Sequence, residues 1–287
     1  MKGLKKLVLA TAVAAAPFAA QAELKAMNDG AMGNVTGQAG VSIELQTEVS
    51  VGEFRYTDEG TFAVSGIQIG GASYDATSGV SQGSVTGALD DLLIDIDVEA
   101  DGDAVIDVHS VSGLPIDYGV AVNEVWLDAD QLGARAESDT STLLASNISM
   151  TGDLGQLKMR VDTLTDDLQI GLAFNIRDMD MDIDFLGVGI RDMKLMGATY
   201  FESGAGSTAF DPAASDPTAE FNRVFAQAQI NIGKGANAAG TDALAISIPS
   251  FVADIEVGQT LIGGTNIGEI QLDNLQLTNT SMVVYGH

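Results

Sequence analysis

Apolar and polar residues alternate through most of this chain, and at intervals the alternation slips by one position. In 173–200 the slip falls on a repeated string: Ile176-Arg177-Asp178-Met179 returns as Ile190-Arg191-Asp192-Met193. Apolar positions Phe174 and Ile176, then Val188 and Ile190, lead into a polar pair. They resume with shifted parity at Met179, Met181, Ile183 and Phe185, and at Met193 and Leu195. Side chains alternate faces along a strand, so each run predicts a strand with one buried face.

The same pattern recurs around Gly52-Glu53, Ser65-Gly66, Asn123-Glu124, Pro249-Ser250 and Asp273-Asn274. A two-residue hairpin, a bulge within a long strand and a solenoid corner would each produce it. Tight hairpins select Asn-Gly, Asp-Gly or a leading Gly, which Arg-Asp, Asn-Glu and Pro-Ser do not supply. A bulge tolerates those pairs, and solenoids repeat at a fixed period that these copies lack. The expected fold class is therefore all-β, with long, bulged, curved antiparallel strands forming a sandwich or a partly closed, barrel-like sheet. A solenoid is the second choice.

Along the chain, Leu24, Met27, Ala31, Met32 and Val35 have helical spacing, which predicts a short N-terminal helix. The first clear strand sets Val41, Ile43 and Leu45 on one face. The clearest hairpin joins Leu92, Ile94, Ile96 and Val98 to Ala104, Ile106 and Val108 through Glu99-Ala100-Asp101-Gly102-Asp103, pairing Val98 with Ala104. Further strands are expected at 119–128, 146–151, 156–163, within 168–200, and at 224–232, 244–248, 252–257, 267–277 and 280–285. The segment 202–218 reads as a surface loop and a weak domain boundary. Otherwise 23–287 is one β-rich domain.

Composition adds an address. Lys2, Lys5 and Lys6 precede an apolar run from Leu7 to Ala20, and Ala20-Gln21-Ala22 has the A-x-A form of a signal-peptidase site. Residues 1–22 thus read as a secretory signal peptide, and the mature chain is expected in the periplasm, on the outer surface or outside the cell. The formal charge is -27, and loss of the leader's lysines makes it more negative. A chain so acidic is unsuited to nucleic acid, which is held by Lys and Arg on phosphates. There are no cysteines, so stability rests on buried area and not on disulfides.

Several motifs suggest chemistry. Gly79-Val80-Ser81-Gln82-Gly83 has the G-x-S-x-G form of a nucleophile elbow. Poor helix-forming residues follow it, and the downstream histidines are only His109 and His287. Asp97, Glu99, Asp101 and Asp103 suggest a calcium loop, yet the twelfth position of an EF-hand would be Val108 and the flanks alternate as strands. Asp178, Asp180, Asp182 and Asp184 form a carboxylate ladder, about 7 Å apart on one strand face. The ladder reads first as a solvated face and second as a cation-binding edge. These eight acids are the candidate Ca2+ ligands; no other cofactor is expected. The methionines Met27, Met32, Met179, Met181, Met193 and Met196 read as core filling. Asn34, Asn147 and Asn279 open glycosylation sequons by form alone.

The string Met27-Asn28-Asp29, Met32, then Val35-Thr36-Gly37-Gln38-Ala39-Gly40-Val41-x-Ile43-x-Leu45 resembles exported Gram-negative proteins labelled as pilus-assembly or filament proteins. The ending, Ile267-Gly268-x-Ile270 through Tyr285-Gly286-His287, is a weaker echo. The resemblance implies a β-rich protein of the cell surface or periplasm, with itself or pilus and envelope proteins as partners.

Together these features point to a non-enzymatic structural or interaction protein of the envelope, a filament subunit or accessory in its narrower form. The alternative is a periplasmic or secreted binding protein that encloses an apolar ligand in a curved sheet. An outer-membrane barrel fits less well, because aromatics are 6% of residues and girdles of them are expected. An enzyme fits least, since no nucleophile, acid and base converge. One outcome is expected directly from the leader: N-terminal sequencing of the exported protein begins at Glu23, and an intact Met1 on envelope-located protein would contradict it.

Overall fold

The computed structural model describes residues 40–72, 85–128, 141–204 and 207–286. The signal peptide, the expected helix near residue 30, Gly79 to Gly83 and His287 lie outside the described residues. The described part falls in one compact unit, Gly40–His287, and is all-β. Its strands are β1 (Val41–Thr47), β2 (Val49–Thr57), β3 (Thr61–Gly70), β4 (Leu89–Val98), β5 (Ala104–Ser110), β6 (Ile116–Asp128), β7 (Ser141–Asp162), β8 (Asp167–Phe174), β9 (Asp178–Ile183), β10 (Val188–Met196), β11 (Ala226–Ala236), β12 (Asp242–Ile262) and β13 (Thr265–Val284). One helix, α1 (Pro217–Val224), joins them. No helix among the described residues is long and apolar enough to cross a membrane.

All strand pairs are antiparallel, and their registers join the strands end to end into eight long tracks. β1 runs into β2, β3 into β4, β5 into β6, β8 into β9 and β10 into β11; β7, β12 and β13 are tracks by themselves. The chain visits the tracks in order, up and down. Each is about 60 Å long at 3.3 Å per residue, against 17–20 Å for an ordinary strand. The runs expected separately at 146–151 and 156–163 are one strand, β7, of 22 residues.

Six strands, β7, β8, β11, β12, β10 and β9, close an antiparallel hydrogen-bonded ring, the barrel-like part of the architecture. The register shows how it closes. Leu154 of β7 pairs with Ile116 on one side and Phe174 on the other, while Met150 pairs with Val120 and Met179. β8 and β9 therefore share one edge of β7. β11 and β10 likewise share one edge of β12, whose other edge belongs to β13. The ring encloses the point where 197–225 leaves the sheet between β10 and β11.

Two rows show that the long strands keep step. Ile43, Ile94, Val108, Leu157, Leu172, Ala228, Phe251 and Leu277 pair successively across all eight tracks. The next row is Ser42, Asp95, Asp107, Lys158, Gly171, Gln229, Ser250 and Thr278. Successive residues point to opposite faces, so one face of this part of the sheet is apolar and the other polar. The hairpin pairing of Val98 with Ala104 is as expected.

Most slipped pairs lie inside continuous strands; the register shifts at Pro249-Ser250 and Asp273-Asn274, the strands keep one register across Gly66 and Asp192, and Arg177-Asp178 falls at the break between β8 and β9. Gly66, Asp192 and Asn274, each the second residue of such a pair, have φ of 64°, 54° and 52°. Asp91, Asn147 and Asn279 adopt the same left-handed conformation within β4, β7 and β13. After Gly, Asn and Asp accept this region most readily. Gly66 is further required because a Cβ there would collide with the Asn123 side chain. Carboxylates fasten several of these left-handed residues: Asp180 accepts the Asp192 N–H at 2.9 Å, Asp254 accepts the Asn274 N–H at 2.6 Å, and Asp182 accepts from the Asn147 amide at 3.0 Å.

Residues 202–204 and 207–216 are turns and irregular chain, mostly exposed, as expected of a surface loop, and they sit within a longer excursion, 197–225. The excursion rejoins the same track, and its aromatic residues build the main core. Tyr200, Val224 and Phe225 are buried with Ala173 and Met196, and Phe201, Phe210 and Phe221 pack against them. Ala173 and Met196 lie on the opposite face to Phe174 and Leu195, so the excursion covers the polar side of the sheet at its waist. α1 begins there for local reasons: the Asp216 carboxylate accepts the N–H groups of Thr218 and Ala219, and Pro217 follows the cap.

The left-handed residues make a direct prediction. Asn279 has φ 52°, where a β-branched side chain is strained by about 1–3 kcal/mol. Asn279→Val should lower stability by that order, and Asn279→Gly should fall well short of it. Denaturant midpoints of the two variants check the difference; equal losses would mean that the conformation at 279 is not the constraint.

Candidate functional site

The acidic positions do not form one site. Around the Val98–Ala104 hairpin, Glu99, Asp101 and Asp103 bring carboxylate oxygens within 4.8 Å of one another. Their centre is occupied by Arg160 from β7. Its Nε donates to Asp103 at 2.7 Å, and the guanidinium lies 3.3 Å from Asp101 and 3.5 Å from Glu99. Asp103, 3% exposed, also accepts the Thr163 N–H and hydroxyl, both at 2.8 Å. These Thr163 bonds first, and Arg160 after them, hold its carboxyl below the ordinary aspartate value. The turn is thus a carboxylate cage closed by a guanidinium. Asp97 takes no part in it; its carboxylate lies against Gly40.

The ladder is partly dismantled. Asp178, Asp180 and Asp182 lie on β9 and are half-buried, but Asp184 begins a single 3-10 turn, Asp184–Leu186, closed by Gly187 at φ 63°. That turn carries Phe185 outward to 58% exposure, against the expectation that it is buried. The cause is the hairpin into β10: β9 stops pairing at Ile183↔Val188, so alternation no longer governs Phe185. Asp182 is paired with Arg191 at 2.6 Å and with Asn147; the Asn147 bond first, and Arg191 after it, lower its carboxyl. Asp178, Asp180 and Asp192 gather within 4.8 Å. Burial, then the Asp180 and Asp192 charges, raise the Asp178 carboxyl against the opposing pull of Lys194. By donor set the three acids suit a hard cation. Asp180 meanwhile accepts the Asp192 backbone N–H, so it already fastens that left-handed residue.

No spacing or motif in the chain announces the waist beneath the excursion. Asn175 is 0% exposed and Asp153 6%. Asp153 N–H donates to the Asn175 side-chain oxygen at 2.8 Å, the Asn175 amide donates back to the Asp153 carboxylate at 3.2 Å, and Arg177 lies 3.6 Å from that carboxylate. Tyr118 donates to the Asn175 carbonyl at 2.7 Å, passing over Gly152, where any Cβ would clash with both. Burial raises the Asp153 carboxyl, and Arg177 opposes the rise. These groups join β6, β7 and the β8–β9 junction, which is a structural role.

Ser42, Asp95 and His109 also meet, with Ser42 donating to one Asp95 oxygen and His109 Nε2 lying 2.9 Å from the other. Here the carboxylate sits between hydroxyl and imidazole. In a hydrolase triad the imidazole must stand between, to take the hydroxyl proton. The second imidazole nitrogen contacts the Ser110 carbonyl at 3.2 Å. The methionines behave as core filling where described: Met196 is 1% exposed and Met179 packs on the cluster of Ile176, Leu195, Ala226 and Ala253. A hollow of about 270 Å³ over Gly171 is lined largely by polar side chains, among them Lys158, Arg160, Gln169, Gln229 and Asn231.

Most conspicuous is the apolar surface of the two outer tracks. In β1 and β2, Val41, Ile43, Phe54 and Tyr56 are exposed; in β13, so are Ile270, Leu272, Leu277, Met282 and Val284. Among the described residues, β13 pairs only with β12, β1 only with β4 and β2 only with β3, so each outer track pairs there along one edge.

Residues 1–100 match the model of a family of unknown function, DUF6160, a stretch that includes β1 to β4. No curated protein and no solved structure matches the chain.

The raised carboxyl at Asp178 sets a pH test. Such a group favours the fold below its unfolded value, about 3.9 for aspartate, and that contribution is lost as pH rises through the folded value. Asp178→Asn stays neutral. It should therefore melt at a higher temperature than the wild type at neutral pH, with the gain shrinking as the pH falls through the raised folded value toward the ordinary aspartate value and gone below it. A lower melting temperature at neutral pH would show that the ionised form is held by something stronger than Lys194, and a rise on adding Ca2+ to the wild type alone would name it.

Proposed function

We propose that this chain is a non-enzymatic interaction protein of the cell envelope that acts by contact, and that the contact is made through the outer tracks of its sheet. The observation that carries this reading is β13: 20 residues, paired along one edge only among the described residues, with an exposed apolar face. Soluble proteins ordinarily blunt such an edge with Lys, Pro or a short strand. β13 has no Lys, Arg or Pro among its residues and only Glu269 and Asp273 as charges. A strand from another chain would satisfy its free backbone groups and cover its side chains together. The leader and the N-terminal resemblance supply the address, and a filament subunit or accessory is the form of contact protein that they favour.

Edge-directed lysines test this. Gln276 and Thr278 flank Leu277 and face the polar side, so Gln276→Lys with Thr278→Lys places charge on the β13 edge and leaves the apolar face intact. Envelope-extracted wild-type protein should cross-link into species larger than a dimer or to a second envelope protein, and the double variant should lose these at least tenfold. Wild-type protein recovered without any such species would overturn the proposal, as would assemblies insensitive to the lysines.

A further inference from the structure

The rows across the sheet carry a second inference, which rests on the reading that the chain works by contact. The row from Ile43 to Leu277 has an apolar residue on every track. Parallel to it, Val41, Ile96, Ile106, Met159, Ile170 and Ile230 pair across the first six tracks. The next row includes Val98, Ala104, Val161, Leu168 and Ile232. The aromatic excursion covers the other side of the sheet at the waist. At the outer margins of this apolar face, Val161 is 45% exposed, Leu244 46% and Met282 53%.

Eight tracks spaced about 4.8 Å apart and about 60 Å long span roughly 2,000 Å², of which part is open: in the row from Ile43 to Leu277, Val108 and Ala228 are buried, Ile94, Leu157, Leu172 and Phe251 are half-buried, and Ile43 and Leu277 are exposed. The largest apolar patch of an ordinary soluble monomer is about 300–600 Å². A stable dimer needs only about 800 Å² from each partner, so part of this face suffices. Charge selects the occupant. The chain carries 40 acids against 13 bases, which disfavours anionic lipid headgroups. In the rows the acids Asp95 and Asp107 lie on the polar side. Two copies meeting apolar face to apolar face would keep these acids on opposite outer surfaces. Their sheets would lie about 10 Å apart, beyond the Debye length of about 8 Å in physiological salt.

We infer that two copies of this chain pack through their apolar faces into a two-layer sandwich. The pairing is isologous and closes at two, so it builds a dimer whose outer tracks remain open for the edge contacts proposed above.

The protein has no cysteine, which makes single thiols clean probes. Leu172→Cys marks the centre of the apolar face and Gln229→Cys the polar face, on β8 and β11. The expected result with the mature chain is a dimer in sedimentation equilibrium, with Cys at 172 protected from maleimide in proportion to dimer and Cys at 229 reactive throughout. Val161→Glu with Met282→Glu alters side chains already exposed in the protomer. It should weaken dimerisation at least tenfold and release protection at 172 while circular dichroism is unchanged. A monomer with reactive thiol at 172 overturns the inference. So does a monomer with that thiol protected, which would mean cover by residues 23–39 or by a bound apolar molecule visible in native mass spectrometry. A dimer indifferent to the two glutamates, or equally sensitive to the Gln276 and Thr278 lysines, would place the interface on the edge instead. Loss of the dimer with retention of larger cross-linked species would sink this inference and leave the contact reading standing.

Discussion

A long antiparallel sheet with one apolar face must keep its strands in step, because a slip of one residue turns a whole strand inside out. Over five or six residues this demand is mild. Here it is met over about 20 residues per track, by chains whose twist accumulates from strand to strand. The left-handed residues are the means. Gly66, Asn147, Asp192 and Asn274 each reset the alternation inside a strand without ending it, and side chains on neighbouring tracks hold three of the resets in place. Many of the chain's acids thus serve construction. Asp180 and Asp254 accept the backbone N–H groups of the left-handed residues Asp192 and Asn274, and Asp182 accepts from the side-chain amide of Asn147. Because those donors stand on neighbouring tracks, fastening them also fixes register.

The same logic explains why polar side chains are among the most deeply buried, Asn175 at 0% and Asp254 at 1% exposure. At the waist, β8 gives way to β9 over Asn175 to Arg177, and the ladder to β7 continues through the Asn175 N–H to Asp153 and the Arg177 N–H to Thr151, both at 2.9 Å. A break at that place leaves side-chain donors and acceptors under the aromatic excursion, away from water. Removing one partner would strand the others at a cost of order 1–3 kcal/mol for each unsatisfied group. Asp153 and Arg177 balance one another electrostatically in that setting, and replacing Arg177 alone would leave a buried carboxylate without its cation. The arrangement specifies one alignment of three tracks, which apolar packing alone would specify poorly in a sheet whose rows are chemically alike.

Much of this fold is legible in the sequence because alternation is a local signal. The slipped pairs at Pro249-Ser250 and Asp273-Asn274 announce register shifts, and the 99–103 turn announces its hairpin with the correct pairing. What resists reading depends on partners far along the chain. Arg160 closes on acids 57 residues and more upstream, and Asn175 finds Asp153 across 22 residues; neither contact has a spacing to recognise. The excursion is hidden for a different reason. Its small polar residues resemble a loop, while the aromatics that bury it, Tyr200, Phe210, Phe221 and Phe225, follow no single period. Its helix is signalled only by Asp216-Pro217, a cap and first-turn pair set among residues that otherwise look like loop. Asn147 and Asn279 are visible too, but as sequons; their physical meaning is the backbone region that Asn enters at low cost.

Alternation states which side chains share a face, and it is silent about what meets that face. A chain that folds as consecutive antiparallel hairpins buries most of its backbone polar groups in ladders while leaving its two outermost tracks half-satisfied. Adding more tracks does not remove those edges, since only closure does, and the ring formed around the excursion closes on single edges of β7 and β12. The outer tracks therefore carry the unmet hydrogen-bonding capacity of the whole sheet, and the apolar face carries its unmet hydrophobic area. The two demands lie at right angles, one in the plane of the sheet and one perpendicular to it. A partner that satisfies the face leaves the edges free, so pairing across the face and extension along the edge can coexist in one assembly. That independence separates this architecture from a sandwich folded from one chain, whose two layers are fixed by covalent connection.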